Sequence, residues 1–237
     1  KTAIQFSGGK DSLCVVHLFR GQPDVMVYFA DTGATFPHMI SFIHEACALY
    51  ELPLTIVKPP VSVLTHTEIN GFPADIVPTD NLPELSFLFK QRGQKLQPSL
   101  RCCNSMIFEP LTRKMKEDGT QVIVRGTRWA DPRVGAKPGE ALDGMTIVQP
   151  IWWWSDQEVY KYLEDNNVQL PVQYSEGCMH SLDCWICTAH LAYGGQERVE
   201  FTKKNNPVLY KLLRHRLDRV RDVVNTQLEK VQGVLNG

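Results

Sequence analysis

The sequence has no excess of charge of either sign and no apolar run long enough to cross a bilayer. Its 25 lysines and arginines nearly balance its 26 aspartates and glutamates, which gives a formal net charge of -1. A near-neutral chain has no global field that attracts nucleic acid or an anionic membrane, so any site for a polyanion must be local. There is also no charged leader followed by an apolar stretch and a cleavage site. We therefore expect a cytoplasmic protein without membrane association.

Internal repeats and low-complexity tracts are also absent, and the cysteine content does not fit a disulfide framework. At 237 residues, the chain is long enough to bury one substantial core without covalent cross-links. Its seven cysteines are an odd number, and four of them form two close pairs. This usage favours metal or redox chemistry over structural disulfides.

Apolar segments rich in β-branched and aromatic residues alternate with segments of helical length. The five strand-like segments are 2–6, 25–30, 54–58, 121–125 and 146–149. This alternation predicts βαβ units and an α/β fold with a parallel sheet. Between residues 59 and 101 the pattern loosens, which predicts short helices and loops over the active face. Ser155 and Glu158 form a capping-box pattern, which predicts a short helix through Leu163.

A glycine loop follows the first strand-like segment. Its residues are Ser7, Gly8, Gly9, Lys10, Asp11 and Ser12, and a helical apolar pattern begins directly after them. The glycines let backbone N–H groups approach an anion, and the helix N-terminus adds partial positive charge. The spacing matches neither the Walker pattern nor the dinucleotide fingerprint. We predict a pyrophosphate site here, and the alternative is a plain glycine turn before a helix.

The glycine loop resembles the PP-loop of ATP pyrophosphatases, the group that contains the phosphoadenylyl-sulfate (PAPS) reductases. Residues 28–37 resemble this family's Asp-Thr-Gly-x-x-Phe-Pro stretch. Residues 124–133 are similar to its Gly-x-Arg-x-x-[Glu/Gln]-Ser-x-x-Arg pattern, with Asp131 and Pro132 as departures. The resemblance implies an adenine nucleotide α-hydrolase-like (HUP) fold, with a parallel five-stranded sheet flanked by helices and a C-terminal helical extension.

The same resemblance implies which residues bind and cleave the nucleotide. Lys10, Asp11, Arg128 and Arg133 are the implied catalytic residues. The implied ligand is ATP with Mg²⁺, or another adenylyl nucleotide, bound by Ser7, Gly8, Gly9, Lys10, Asp11, Ser12, Asp31, Thr32, Gly33, Gly126 and Arg128. Arginine side chains suit this role because they hold phosphate or sulfate oxygens through two parallel hydrogen bonds.

Four cysteines form the most specific pattern in the chain. Cys102 and Cys103 are adjacent, and Cys184 and Cys187 form a C-x-x-C turn. Four soft sulfurs favour zinc or an iron–sulfur cluster over hard cations, and adjacent cysteines are unusual for zinc. The spacing resembles the C-C…C-x-x-C pattern of adenylyl-sulfate reductases, which implies a [4Fe-4S] cluster; zinc and a redox or structural thiol set remain alternatives. Cys178 is predicted to be an ordinary loop thiol rather than a nucleophile or a persulfide carrier.

These patterns predict two parts of the chain. Residues 1–195 are predicted to form the nucleotide-binding and iron–sulfur domain. Residues 196–237 are predicted to form a helical extension, because apolar residues recur at helical spacing from 206 to 231. We expect this long helix to serve packing or homodimerisation.

Within the family, the sequence favours ATP chemistry over reduction of an adenylyl sulfate. The Lys10-Asp11 pair suits the extra phosphates of ATP, whereas the reductases usually lack this pair. Met106 and Ile107 stand where reductases tend to place Arg-Lys, and no reductase-like cysteine tail appears. We therefore hypothesise an ATP pyrophosphatase that adenylates an acceptor for cluster-assisted sulfur transfer. The alternatives are a thiol-dependent APS/PAPS reductase and a non-catalytic nucleotide- and cluster-binding subunit.

The acceptor and the protein partners follow from this hypothesis. Nucleic acid is a candidate acceptor, and a cysteine desulfurase is a candidate sulfur donor; a reductant takes its place in the reductase alternative. The cations Lys90, Arg92, Lys95 and Arg101 could form a local basic rim, although charged loop residues are usually only solvated.

Overall fold

A computed structural model describes residues 1–76, 96–131 and 135–235 of the chain. Its main sheet has six strands in the order β3-β2-β1-β6-β8-β7. Five of them are parallel, and β7 pairs antiparallel with β8. The strand bounds are β1 Thr2–Gln5, β2 Val25–Ala30, β3 Leu54–Val57, β6 Val122–Val124, β7 Ala141–Leu142 and β8 Met145–Val148.

The structure also contains a second, two-stranded parallel sheet. It consists of β4 Phe72–Ala74 and β5 Leu96–Pro98. The sequence predicted only short helices and loops in this region. Phe72-Pro73-Ala74 is too short to show a strand period, so its pairing depends on tertiary contacts. The residues between the two strands fall largely outside the described part of the chain.

Helices flank the main sheet, and their bounds follow recognisable local signals. Pro37 occupies the first position of α2, and Ser155 caps α6 with the predicted capping box. Cys103 ends α4, and a π-helical turn, Asn104–Phe108, leads directly into α5. The bounds are α1 Lys10–Leu18, α2 Pro37–Leu49, α3 Val63–Asn70, α4 Ser99–Cys103, α5 Glu109–Glu117, α6 Asp156–Asp165, α7 Val172–Ser175, α8 Gly195–Asn205 and α9 Pro207–Leu235.

The centre of the sheet is buried on both faces, as a parallel sheet requires. Ile4 on β1, Ile123 on β6 and Ile147 on β8 are completely buried. Burial of such side chains contributes about 1.5–3 kcal/mol each. Cys14 and Cys47 lie in the same core, as small apolar residues.

The structure confirms the predicted α/β class and all five predicted parallel strands, with one correction to the sheet. The sheet has six strands rather than five, because β7 adds an antiparallel edge. Asp143 and Gly144 both adopt positive φ in the tight turn that joins β7 to β8. This two-residue turn fits a type I′ hairpin. Strand β7 consists of only Ala141 and Leu142, so it is too short to show an alternating pattern in the sequence.

The C-terminal part consists of α8 and the long helix α9. The first half of α9 packs on the body of the protein through Leu213, Arg216 and Val220, which are all buried. The described side chains beyond Val220 are half-buried or exposed. The division of the chain at residue 195 stays a prediction. In the described ranges, we find no helix that is long and apolar enough to span a membrane.

Candidate nucleotide and cysteine site

The glycine loop turns the chain from the end of β1 into the start of α1. Gly8 adopts φ +81°, a conformation that side-chain-bearing residues rarely take. The Ser7 and Ser12 hydroxyls lie 3.2 Å apart, and the Gly9 N–H donates to Ser7 Oγ at 3.3 Å. The loop is therefore folded over its own serines, with the N-terminus of α1 at its end.

The end of β6 approaches this loop closely at Gly126. A Cβ atom on Gly126 would lie 2.6 Å from the backbone carbonyl carbon of Asp11 and 2.6 Å from the backbone nitrogen of Ser12. Only glycine permits this approach. The close approach of β6 to the glycine loop at Gly126 therefore has a steric basis.

Lys10 and Arg128 lie in one ionic network with three aspartates. Lys10 Nζ is 2.9 Å from Asp11 Oδ2 and 2.8 Å from Asp156 Oδ1. Arg128 Nη2 is 2.9 Å from Asp156 Oδ1 and 3.3 Å from Asp131 Oδ1. Arg128 Nε is 2.9 Å from Asp11 Oδ1 and forms an ion pair with it.

The charges in this network shift one another's pKa values. Burial raises the pKa of Asp11 above its ordinary value, although Lys10 opposes the rise. A hydrogen bond from Lys10 lowers the pKa of Asp156. For Lys10 itself, burial lowers the pKa, but the combined effect of Asp11 and Asp156 leaves it raised. Lys10 and Asp156 are therefore charged at neutral pH.

Sequence reasoning missed Asp156 and Asp131 as members of the site. The capping-box pattern predicts Asp156 at the start of a helix, but only the fold brings α6 against the glycine loop. Asp131 is one of the two departures from the family pattern. Its carboxylate accepts a hydrogen bond from the Arg128 backbone N–H at 2.8 Å, so it also supports the arginine that it pairs with.

The residues after β2 divide between loop support and the cysteine site. Asp31 Oδ1 accepts hydrogen bonds from the Gly33 N–H at 2.9 Å and the Thr35 hydroxyl at 3.2 Å, which hold this turn in shape. Thr32 Oγ1 lies 3.0 Å from Cys184 Sγ. The predicted nucleotide residue Thr32 therefore contacts one of the predicted metal ligands.

The fold brings the two predicted cysteine pairs together. Burial raises the pKa of Cys102 to about 12, and the negative charge of Cys187 adds to this rise. Burial also raises the pKa of Cys184, and Cys187 and Cys103 contribute in the same direction. Each of the four thiols therefore interacts electrostatically with at least one other. Such an arrangement disfavours four thiolates unless a cation or a metal cluster compensates their charge.

Helix α8 supports the backbone of the C-x-x-C turn through hydrogen bonds. Arg198, a buried residue of α8, donates hydrogen bonds from Nη1 to the Ser181 carbonyl and from Nη2 to the Cys184 carbonyl, the latter at 3.5 Å. The Trp185 N–H donates to the Ala34 carbonyl at 2.8 Å, which joins the turn to the loop after β2. These contacts fix the backbone of the second cysteine pair.

One segment connects the cysteine site to the glycine loop. The Tyr174 hydroxyl accepts a hydrogen bond from the Lys10 backbone N–H at 3.0 Å, and Ser181 lies against Gly9. Cys184 follows in the same segment, so the two sites are neighbours. Cys178 lies between them; it is fully buried with Phe36, Met39 and Leu182, which fits an ordinary core thiol.

Several other predicted residues lie outside the site or outside the described ranges. Arg133 and the rim residues Lys90, Arg92 and Lys95 fall outside the described residues, whereas Arg101 is described and exposed. Of the three consecutive tryptophans, Trp152 is buried and Trp153 is 77% exposed. Trp153 packs with Trp129 at a ring-centroid distance of 6.0 Å, beside the ionic network.

Comparison with known proteins supports the resemblance that the motifs carry. Residues 1–190 match the family described as Phosphoadenosine phosphosulfate reductase domain. Adenosine 5'-phosphosulfate reductases of Mycobacterium bovis and Mycobacterium tuberculosis are 27% identical to the chain over 192 residues, which make up 79% of this chain and 66% of each relative. The match thus spans slightly less than two thirds of these relatives.

A second reductase and a solved structure agree with this assignment. A phosphoadenosine 5'-phosphosulfate reductase of Alteromonas mediterranea is 23% identical over 198 residues, or 82% of this chain and 72% of the relative. The crystal structure of a phosphoadenylyl-sulfate reductase from Candida auris in a phosphate complex shares the fold. Its TM-score is 0.52 at 21% identity, over 78% of this chain and 81% of that chain. This chain therefore belongs to the phosphoadenosine phosphosulfate reductase domain family.

Proposed function

We propose that this chain binds Mg-ATP at the glycine loop and cleaves the bond between the α- and β-phosphates, adenylating an acceptor and releasing pyrophosphate. The observation that carries this proposal is the ionic network, in which Asp11, Asp131 and Asp156 surround Lys10 and Arg128. Among the described residues, the three carboxylates of this network outnumber its two cations. These cations are therefore already paired with carboxylates.

A magnesium ion would reverse this balance. Mg²⁺ prefers oxygen ligands and is typically bound by one or two carboxylates together with the phosphates of a substrate. Asp11 and Asp156 are the carboxylates best placed for this role, because each contacts both cations. The geometry thus favours a metal-bound polyphosphate such as Mg-ATP.

The other residues have assigned roles in this proposal. An oxygen of the acceptor attacks the α-phosphorus, the bond to the β-phosphate oxygen breaks, and pyrophosphate leaves with the metal. Lys10, Arg128 and Arg133 neutralise the charge that develops on the phosphates. The backbone of the glycine loop holds the pyrophosphate, and Gly126 lets β6 approach it. Asp31, Thr32 and Gly33 are proposed to line the nucleotide. In this proposal the protein acts mainly by positioning the reacting groups.

The four cysteines are proposed to hold a [4Fe-4S] cluster, which would supply electrons or an iron site for sulfur. The support for a cluster over zinc is the adjacent pair Cys102 and Cys103, because zinc sites more often use two C-x-x-C turns.

Sulfur transfer completes the proposed reaction. Sulfur at the sulfide oxidation level attacks the acceptor carbon or phosphorus atom that bears the adenylated oxygen, a new bond to sulfur forms, and AMP leaves with that oxygen. A cysteine desulfurase together with a thiol reductant is the proposed source. Nucleic acid is the proposed acceptor, and the exposed pair Trp129 and Trp153 supports it, because bases stack on aromatic side chains beside a phosphate site.

A second candidate function is thiol-dependent reduction of an adenylyl sulfate. Its support is the 27% identity to adenosine 5'-phosphosulfate reductases. This reaction releases sulfite and AMP, draws two electrons from a thiol reductant and needs no ATP. A non-catalytic nucleotide-binding subunit would bind ATP without releasing pyrophosphate.

One experiment separates the three candidates. The chain is purified anaerobically, and its iron and sulfide are quantified. Pyrophosphate release from Mg-ATP is then measured in parallel with sulfite release from adenylyl sulfate plus thiol. We expect pyrophosphate release with candidate acceptors, and we expect Lys10→Gln to lower it roughly 100-fold or more, as loss of a charge-stabilising group does.

Lys161→Gln is the matched control, since Lys161 forms an exposed ion pair with Asp165 and does not belong to the ionic network around Lys10. Sulfite release without pyrophosphate would establish the reductase instead. ATP binding with neither product would favour the non-catalytic subunit. Equal losses in the two lysine variants would refute the role of Lys10.

A further inference from the structure

A buried arginine on the C-terminal helix has no role in the chemistry described so far. Arg216 is only 6% exposed. Its Nη2 donates a hydrogen bond to Thr67 Oγ1 at 2.7 Å, and its guanidinium lies 4.6 Å from the ring centroid of Phe72. In the described part of the chain, its Nε has no hydrogen-bond partner. The nearby Glu68 is instead paired with Arg219 at 3.1 Å.

This helix lies directly over the second cysteine pair. Leu213 and Leu217 of α9 line the same cavity as Cys184 and Cys187. Arg216 belongs to the same helical turn as these leucines. Helix α9 therefore passes beside the C-x-x-C turn at the level of Arg216.

The contacts of Arg216 also lead to the first cysteine pair. Thr67, which accepts its hydrogen bond, donates in turn to the Val63 carbonyl at 2.9 Å. Val63 packs against Cys102 in one buried cluster. Arg216 is thus linked to the first cysteine pair through α3, while its helix neighbours Leu213 and Leu217 line the cavity beside the second pair.

The charged groups around Arg216 include an acid as well as the thiols. Burial lowers the pKa of Arg216, and Glu68 opposes that change more than Cys187 and Cys102 do, whereas Arg219 adds to it. The guanidinium therefore lies close enough to the cysteines for its charge to act on them.

We propose that Arg216 is a positioning residue that tunes the charge of the cysteine site, so that α9 is part of the cluster environment and not only a packing or dimer surface. This inference rests on the proposed ligation of a cluster by the four cysteines. A buried set of four thiolates is costly without a cation nearby. A fixed positive charge stabilises the reduced form of a cluster more than the oxidised form, because the reduced form carries one more negative charge.

The test compares Arg216→Met with Arg219→Met. Arg219 also stacks on Phe72 at 4.6 Å, but its partner is the exposed Glu68, so it is matched for the aromatic contact and lacks the connection to the cysteines. Both variants are reconstituted with iron and sulfide. The midpoint potential is measured by dye titration, and cluster loss to an iron chelator is followed by visible absorbance.

For Arg216→Met we expect a roughly tenfold fall in the reduced-to-oxidised ratio at fixed potential, which equals about 59 mV for one electron, and faster cluster loss. Arg216→Lys should restore most of the potential, because it keeps the charge. Arg219→Met should leave the potential unchanged. A potential that is unchanged in Arg216→Met, or that falls equally in Arg219→Met, overturns this proposal alone. A wild-type chain that takes up no iron overturns the cluster proposal and this one together.

Discussion

Asp156 joins two parts of the chain that are far apart in sequence. Its carboxylate contacts Lys10 at the start of α1 and Arg128 after β6. Lys10 holds the pKa of Asp156 below its ordinary value, so this carboxylate is charged at neutral pH. One residue thus orients both cations and remains accessible to a metal, since its side chain is 65% exposed.

We predict that Asp156→Asn lowers pyrophosphate release by roughly 10- to 100-fold, the usual effect of removing a group that supports a metal or its ligands. The variant also frees Lys10 from a hydrogen bond that now holds it. Raising the Mg²⁺ concentration should recover part of the rate. The measurement is the rate of pyrophosphate release as a function of Mg²⁺ concentration.

Asp165→Asn is the control, because Asp165 lies at the other end of α6 and pairs only with Lys161 among the described residues. This variant should keep the wild-type Mg²⁺ dependence. A wild-type dependence in Asp156→Asn as well would exclude Asp156 as a metal-associated group.

At the scale of elements, the site depends on the contact between the end of β6 and the start of α1. Gly126 has no side chain, which lets the two backbones meet. The core around β1 and β6 is tightly buried and leaves no room for either element to move away. The conformation of the glycine loop therefore depends on the end of β6 as well as on its own glycines.

We predict that Gly126→Ala weakens nucleotide binding at least about tenfold and destabilises the protein by about 1–3 kcal/mol, because the new Cβ would overpack against Asp11 and Ser12. Isothermal titration with a non-hydrolysable ATP analogue and chemical denaturation measure the two effects. Gly135→Ala is the matched control, since its Cβ would meet no atom closer than 4.0 Å. Wild-type affinity in Gly126→Ala would show that the loop is free to shift.

For the whole molecule, Asp118 links several elements at the end of the sheet opposite the site. It accepts hydrogen bonds from Lys114 at 2.6 Å and from the Tyr28 hydroxyl at 2.8 Å, and Lys1 Nζ donates to its backbone carbonyl. The hydrogen bonds from Lys114 and Tyr28 lower the pKa of Asp118. Tyr28 lies on β2 and Lys114 on α5, so Asp118 connects the sheet to a flanking helix.

We predict that Asp118→Asn reduces stability at neutral pH and flattens the acid side of the stability profile. A carboxyl group with a depressed folded-state pKa stabilises the protein above its unfolded pKa of 3.8, and this contribution is lost as the pH falls through the folded pKa. The Asp118→Asn variant has no carboxyl group at this position, so it has no such contribution to lose as the pH falls. Urea denaturation from about pH 2 to about pH 7, which spans the titration of carboxyl groups, measures this pH dependence of stability. The control is Asp222→Asn, because Asp222 is exposed.

The local patterns were sufficient for several elements. The strand-loop-helix around Gly8 and Gly9, the capping box at Ser155 and the long C-terminal helix all appear as predicted. Each depends on neighbours within a few residues, which is why sequence alone could identify it. The parallel order of the sheet also followed, because helices separate the strands and leave parallel crossovers as the natural connection.

The sequence by itself determined the family, the α/β class, the glycine loop and the two cysteine pairs, because each of them depends on short motifs or local patterns of neighbouring residues. Only the tertiary structure decided which side chains meet: Asp156 with Lys10, Thr32 with Cys184, and Arg216 with the surroundings of Cys102 and Cys187. These contacts join residues from distant parts of the chain. Their partners are chosen by the packing of helices on the sheet, and packing leaves no short-range pattern in the sequence.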